Sequence, residues 1–137
     1  MSPISLLITL AGLVLGITVH EFSHALVAYR LGDPTAQRMG RLSLNPLVHL
    51  DPIGSLMILI SSLSGFGIGW GKPTPVSPWN LRPRGRIGMA LVALGGPVSN
   101  LAVALVLSTG LRLAPVLPWT VQGILLQVTR VNLALAA

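Results

Sequence analysis

His20-Glu21-Phe22-Ser23-His24 lies inside an apolar run that extends from Ile4 to Leu31. That run is long enough to cross a bilayer as a helix, which takes about 20 predominantly apolar residues. The motif holds the only glutamate of the chain and two of its three histidines. On a helix, positions i and i+4 share a face, so His20 and His24 can grip one metal ion. Glu21 follows His20 by about 100° of helical turn, close enough to that face to reach a water on the metal. Two imidazoles, one further ligand and one water form the usual arrangement of a catalytic zinc. The competing reading is a pair of hydrogen-bonded core histidines. Ionisable groups are costly in a membrane helix and point there to a functional role, which favours the metal.

Composition agrees with a membrane setting. The 137-residue chain is 52% hydrophobic and 9% charged, with a mean hydropathy of +0.78. Soluble domains carry about 25% charged residues. The length corresponds to one domain, residues 1–137. A net charge of +6 would suit a polyanion. Most Lys and Arg, however, sit in linkers between apolar runs rather than on a basic face interleaved with aromatics, so no nucleic-acid partner is expected. The chain has no cysteine, which excludes disulfides and thiolate-bound metals. The first run has no basic leader and no small-residue cleavage site, so it is not read as a removable signal peptide.

Further along, Gly32 suits the left-handed position after a helix and Asp33-Pro34 cannot continue one. Gly12 and Gly16 would let another helix approach closely. A polar linker follows to Asp51, where Asp51-Pro52 reads as an N-cap with proline at the first helical position. The run from Ile53 to about Leu63 is too short to span. It gives way to Ser64-Gly65-Phe66-Gly67-Ile68-Gly69-Trp70-Gly71, whose alternating glycines suit a strand or a close backbone approach. In Lys72-Pro73-Thr74-Pro75-Val76, the two prolines silence one strand edge and leave the other able to pair. An irregular proline loop is the alternative. The third run, Ile87 to about Leu113, contains Gly95-Gly96-Pro97, which should kink or break its helix. Ser99 and Asn100 follow at membrane depth, with Asn100 either helix–helix glue or a site residue. The fourth run extends from about Trp119 to Ala137.

Arg30, Arg38 and Arg41 mark the first linker; Lys72, Arg82, Arg84 and Arg86 mark the second. If both are cytoplasmic, the short run between them dips into the membrane and returns. The expected fold is an all-α membrane protein. It has about three transmembrane helices plus a re-entrant apolar hairpin or short strand region between the first and second spans. The metal motif then lies toward the cytoplasmic end of the first.

These stretches resemble the site-2 protease family of intramembrane zinc metalloproteases (peptidase family M50) in its compact prokaryotic form. The matching segments are His20 to Pro34, Gly40 to Pro46, His49 to Gly54, Trp70 to Val76, and Gly95-Gly96-Pro97-Val98-Ser99-Asn100. The resemblance implies that His20 and His24 bind one zinc ion per chain, that Glu21 is the catalytic base, and that Asn100 belongs to the family's G-P-x-x-N pattern. It implies a transmembrane protein substrate and an enzyme in the lipid bilayer of a prokaryotic cell; the basic linkers place its active site toward the cytoplasm. Pro73, Thr74 and Pro75 are candidates for holding an unwound substrate along the free edge of their strand. The family's third zinc ligand is an aspartate in an L-D-G motif, and nothing here matches it. Arg130 to Ala136 resembles the segment that leads into that motif, so the chain reads as the N-terminal portion of a longer core. Within it, Asp51, His49 and Asp33 are the only candidate substitutes. Two rival readings remain: a membrane metal-binding or transport protein, and an inactive truncated relative of the protease.

Overall fold

The computed structural model describes residues 3–64, 69–112 and 116–137. Their regular structure is helical, with no strand among the described residues. Helix α1 spans Pro3–Arg30 and ends as its sequence requires. Gly32 takes φ +98°. Its N–H bonds Tyr29 O at 3.0 Å, and the Asp33 N–H reaches back to Ala28 O at 2.9 Å. This paired closure uses two of the carbonyls that a helix end leaves open. The one-turn helix α2, Thr35–Arg38, closes the same way around Gly40 at φ +69°.

Helix α3, Pro52–Ser64, starts at the expected cap, with Asp51 Oδ1 accepting from Gly54 N at 2.8 Å. Its 13 residues reach about 20 Å, short of the roughly 30 Å hydrocarbon core. Residues 65–68 of the glycine-rich stretch lie outside the described residues. Where the chain is described again, it runs against α3. A Cβ at Gly54 would meet Trp70 Cδ1 at 2.9 Å, and one at Gly69 would meet the Ile58 backbone at 3.1 Å. The glycines there serve close backbone approach. Lys72–Val76 forms no strand, and beside it lies one isolated antiparallel bridge, Leu50 with Gly71.

Helix α4, Arg86–Arg112, runs without a break through Pro97, where the sequence predicts a kink or an interruption. Membrane helices tolerate proline where neighbouring groups satisfy the freed backbone. Gly95 and Gly96 have a different use: they bring α4 onto α1. A Cβ at Gly95 would lie 3.1 Å from both Ser23 O and Val27 Cγ2. The buried residues of α4 are Gly88, Val92, Gly96, Asn100 and Ala104, a four-residue spacing that marks one helix face. Helix α5, Trp119–Ala136, packs against both α1 and α4. It is the helix that Gly12 and Gly16 admit: a Cβ at Gly12 would touch Val128 Cγ2 at 3.6 Å, and one at Gly16 would strike Leu135 Cδ1 at 2.5 Å. Gln127 of α5 donates to Ser5 O at 2.8 Å and also to Thr9 Oγ1.

Among the described residues, α1 and α4 are long and apolar enough to cross a membrane, and 22% of each apolar window is buried. A core helix of a soluble protein would be mostly buried. Here the leucines and valines face outward instead, among them Leu7, Leu15, Leu94, Leu101 and Leu105.

Candidate metal centre

His20, Glu21 and His24 lie one and four residues apart on α1, and one ligand atom from each falls within 4.8 Å of the others. The two rings meet edge to face with centroids 4.7 Å apart. Both are oriented from α4, through their Nδ1 atoms. His24 Nδ1 lies 2.6 Å from Val92 O, so it carries the proton and leaves Nε2 with a free lone pair. His20 Nδ1 lies 3.1 Å from the Asn100 side-chain amide. The amide nitrogen faces the ring, and the buried Oδ1 has no partner. Amide nitrogen and oxygen are assigned from their surroundings. Rotating the amide by half a turn lets His20 Nδ1–H donate to Oδ1, removes the orphaned acceptor and again frees Nε2. Imidazoles that bind metal through one nitrogen characteristically donate the other N–H to a carbonyl or a side-chain oxygen.

Both Nε2 atoms converge on Gly96. A Cβ there would overlap His20 Nε2 and lie 2.5 Å from His24 Nε2. Val92, Gly96 and Asn100 thus form one stripe of α4: a carbonyl for His24, an open space between the rings, and an amide for His20. The residues fit a zinc ion held by His20 and His24, with Glu21 beside it. Zinc takes neutral imidazole nitrogens: the Val92 carbonyl frees Nε2 of His24, and the rotated Asn100 amide frees Nε2 of His20.

Glu21 is held from the opposite side. Its Oε2 accepts from Thr74 N at 2.9 Å and from Thr74 Oγ1 at 2.8 Å, and Thr74 Oγ1 also reaches Glu21 O at 2.9 Å. The edge of Lys72–Val76 expected to stay free is therefore in use. Lys72 N donates to His49 O at 2.7 Å, and the next N–H on that edge, Thr74, goes to Glu21. Pro73 and Pro75 flank it and line a cleft of about 490 Å³ with Arg41, Leu47, Leu50 and Lys72.

The candidate substitutes for a third ligand are engaged elsewhere. Asp51 caps α3. His49 is fully buried, with Nε2 at 2.6 Å from Ser43 O. Asp33 is also fully buried and accepts from Thr35 N at 3.1 Å, Thr35 Oγ1 at 2.5 Å, Ser77 N at 2.6 Å and Asn80 Nδ2 at 3.2 Å. None of the three joins the His20–Glu21–His24 group among the described residues. Burial pushes the Asp33 carboxyl up, but the bonds from Thr35, Ser77 and Asn80 outweigh it and leave it below its ordinary value. Sequence reasoning missed this hub, as it missed Val92 and Gly96. The Asp-Pro-Thr turn was a local signal for Asp33, but the Ser77 and Asn80 partners carried none.

The chain is related to proteins named as zinc metalloproteases. It is 45% identical over 94 residues to "Putative zinc metalloprotease YwhC" of Bacillus subtilis, a match covering 69% of this chain and 40% of that protein. It is 35% identical over 103 residues to "Putative zinc metalloprotease Rip2" of Mycolicibacterium smegmatis, covering 74% and 38%. The Mycobacterium tuberculosis protein of the same name is 36% identical over 106 residues, covering 76% and 39%. These homologues bear out the resemblance to the site-2 protease family read from the motifs. The chain spans about two-fifths of the length of these relatives. No family model matches, and no solved structure matches.

Proposed function

We propose that this chain forms the metal-binding core of an intramembrane zinc metalloprotease that hydrolyses peptide bonds in or near transmembrane segments of membrane proteins. The observation that carries this reading is the convergence of His20 Nε2 and His24 Nε2 on the space above Gly96, with Glu21 alongside. The relatives' names support zinc and proteolysis. The outward-facing apolar surfaces of α1 and α4 support the membrane. A transport site would draw ionisable groups from several facing helices. Here all three stand on α1, and α4 contributes a carbonyl and an amide.

His20 and His24 would hold one zinc ion, with a third protein ligand from outside the residues described. Bound zinc supplies Lewis acidity, bringing the pKa of a water toward about 7 and polarising a carbonyl. Glu21 accepts the proton of that water and returns it to the leaving amine. Val92 O and Asn100 keep the imidazoles in the tautomer the site needs. A helical substrate hides its peptide groups in its own hydrogen bonds, so it must unwind first. The cleft along Pro73 and Pro75 is where the extended segment lies.

The topology we assign has α1, α4 and α5 as spans, with α3 and the glycine-rich return as a re-entrant piece. The site then faces the cytoplasm of a prokaryotic cell. One contact supports placing both linkers on one side: Arg82 N bonds Leu31 O at 2.7 Å, so the end of α1 and the approach to α4 meet.

The test is zinc content of the detergent-purified protein, paired with cleavage of a transmembrane substrate. The expected result is about one zinc per chain, absent in His20→Ala. Glu21→Gln should retain zinc without cleaving. Zinc that survives His20→Ala, or cleavage that survives Glu21→Gln, would overturn the assignment.

A further inference from the structure

We infer that Thr74 is a positioning residue for Glu21, holding the carboxylate by Oε2 so that Oε1 is presented to the attacking water. This rests on the protease reading of the same site. A glutamate side chain has three rotatable bonds and loses considerable freedom when fixed. The structure fixes it from one residue. Thr74 N–H and Oγ1 both meet Oε2, at 2.9 and 2.8 Å. The hydroxyl is within 2.9 Å of Glu21 O as well, so its single proton is shared between the carboxylate and the backbone carbonyl of the same residue.

Thr74 is itself held on a firm shelf. Prolines at 73 and 75 fix their own φ, and proline at 75 restricts Thr74 to extended backbone. On one side, Lys72 N is bonded to His49 O at 2.7 Å. The buried Arg41 guanidinium donates from Nη2 to Pro73 O at 3.0 Å. Behind the shelf, Gly71 lies against α1, where a Cβ would strike Ile17 Cγ2 at 2.6 Å. The backbone is thus secured by residues around Thr74, and its hydroxyl is not needed for that. The hydroxyl's contacts with Glu21 go to the side chain and backbone of the proposed base. Misplacing a catalytic group by about 1 Å can cost about a hundredfold in rate, so such a bracket bears on turnover.

Two variants separate positioning from packing. Thr74→Val keeps the shape and the backbone N–H but removes the hydroxyl, whereas Thr74→Ser keeps it. Glu21 is the only glutamate in the chain. Labelling this chain with ¹³C at the glutamate side-chain carboxyl therefore yields one isotope-shifted carboxylate band in the infrared, from Glu21. In detergent-purified protein, the band should move in Thr74→Val and stay in Thr74→Ser, with zinc content unchanged in both. On a transmembrane substrate, Thr74→Val should lower kcat about 10- to 100-fold with KM little changed, and Thr74→Ser should restore it. An unmoved band in Thr74→Val overturns the inference. So does a moved band with wild-type kcat, or an equal loss in both variants. If the band moves but the wild-type protein cleaves nothing, the protease reading fails while Thr74 still holds Glu21.

Discussion

Gly96 occupies the point on α4 toward which both imidazoles direct Nε2, and the absence of a side chain there is what leaves room for an ion. Alanine in place of glycine inside a helix ordinarily gains about 0.8–1 kcal/mol of helix propensity. Here the added methyl meets two rings that are tied to α4 by Val92 O and Asn100, and overpacking of this kind costs about 1–3 kcal/mol. The steric term wins. Gly96→Ala should therefore weaken zinc binding at least tenfold, as read by competition with a chelator, even if the helices re-pack. Gly123 on α5 makes the control, because a Cβ there meets nothing within 4 Å. Gly123→Ala should bind zinc as the wild type does and be at least as stable. Equal zinc affinity in all three proteins would mean that the space above Gly96 is not where the ion sits.

Between elements, the turn after α1 does more than stop a helix. Asp33 ties it to the segment that leads into α4, through Ser77 N and Asn80 Nδ2. Each hydrogen bond to an ionised group contributes about 1.5–3 kcal/mol, and losing the carboxylate strands donors in a buried place. Asp33→Ala should cost about 2–4 kcal/mol by thermal unfolding in detergent. Its pH dependence has a definite sign. The folded carboxyl titrates below its ordinary value of 3.8, so its contribution is complete above that value. It is lost as pH falls through the still lower folded value. The wild type should lose stability more steeply than Asp33→Ala at the acid end of that window. Parallel pH profiles would show that the carboxylate is not what joins the two linkers.

At the scale of the whole molecule, the bundle places its charges. Arg38 and Arg84 are exposed in the two linkers, which meet where Arg82 N bonds Leu31 O. Val116, 87% exposed, lies in the other connection, between α4 and α5. The 137 residues contain no cysteine, so single cysteines introduced into them report topology cleanly. Arg38→Cys and Arg84→Cys should react with a membrane-impermeant maleimide from the same side, and Val116→Cys from the other. Labelling of Arg38→Cys and Arg84→Cys from opposite sides would rule out the re-entrant reading of α3.

Local spacing alone encodes the ends and faces of the helices. The i, i+4 histidines had to share a face of α1. Gly32 and Asp33-Pro34 end that helix, Asp51-Pro52 begins α3, and the small residues at 12 and 16 allow another helix to approach. These follow from helix geometry and from backbone conformations that few residues adopt. Only the tertiary structure decided what stands opposite each group. Gly95-Gly96-Pro97 reads as a kink or a break; α4 does not break there, and the glycines instead make room for α1 and its histidines. The Lys72–Val76 edge reads as open, yet its donors at 72 and 74 are taken by His49 and Glu21. Asn100 reads as glue or as a site residue, and the structure places its amide against His20. Residues 53 or 80 positions apart in the chain are brought within 3.1 Å, and no pattern in the intervening sequence specifies that distance. It is set by how closely α1 and the Thr74 shelf can pack, and how closely α1 and α4 can, once glycines remove the side chains between them.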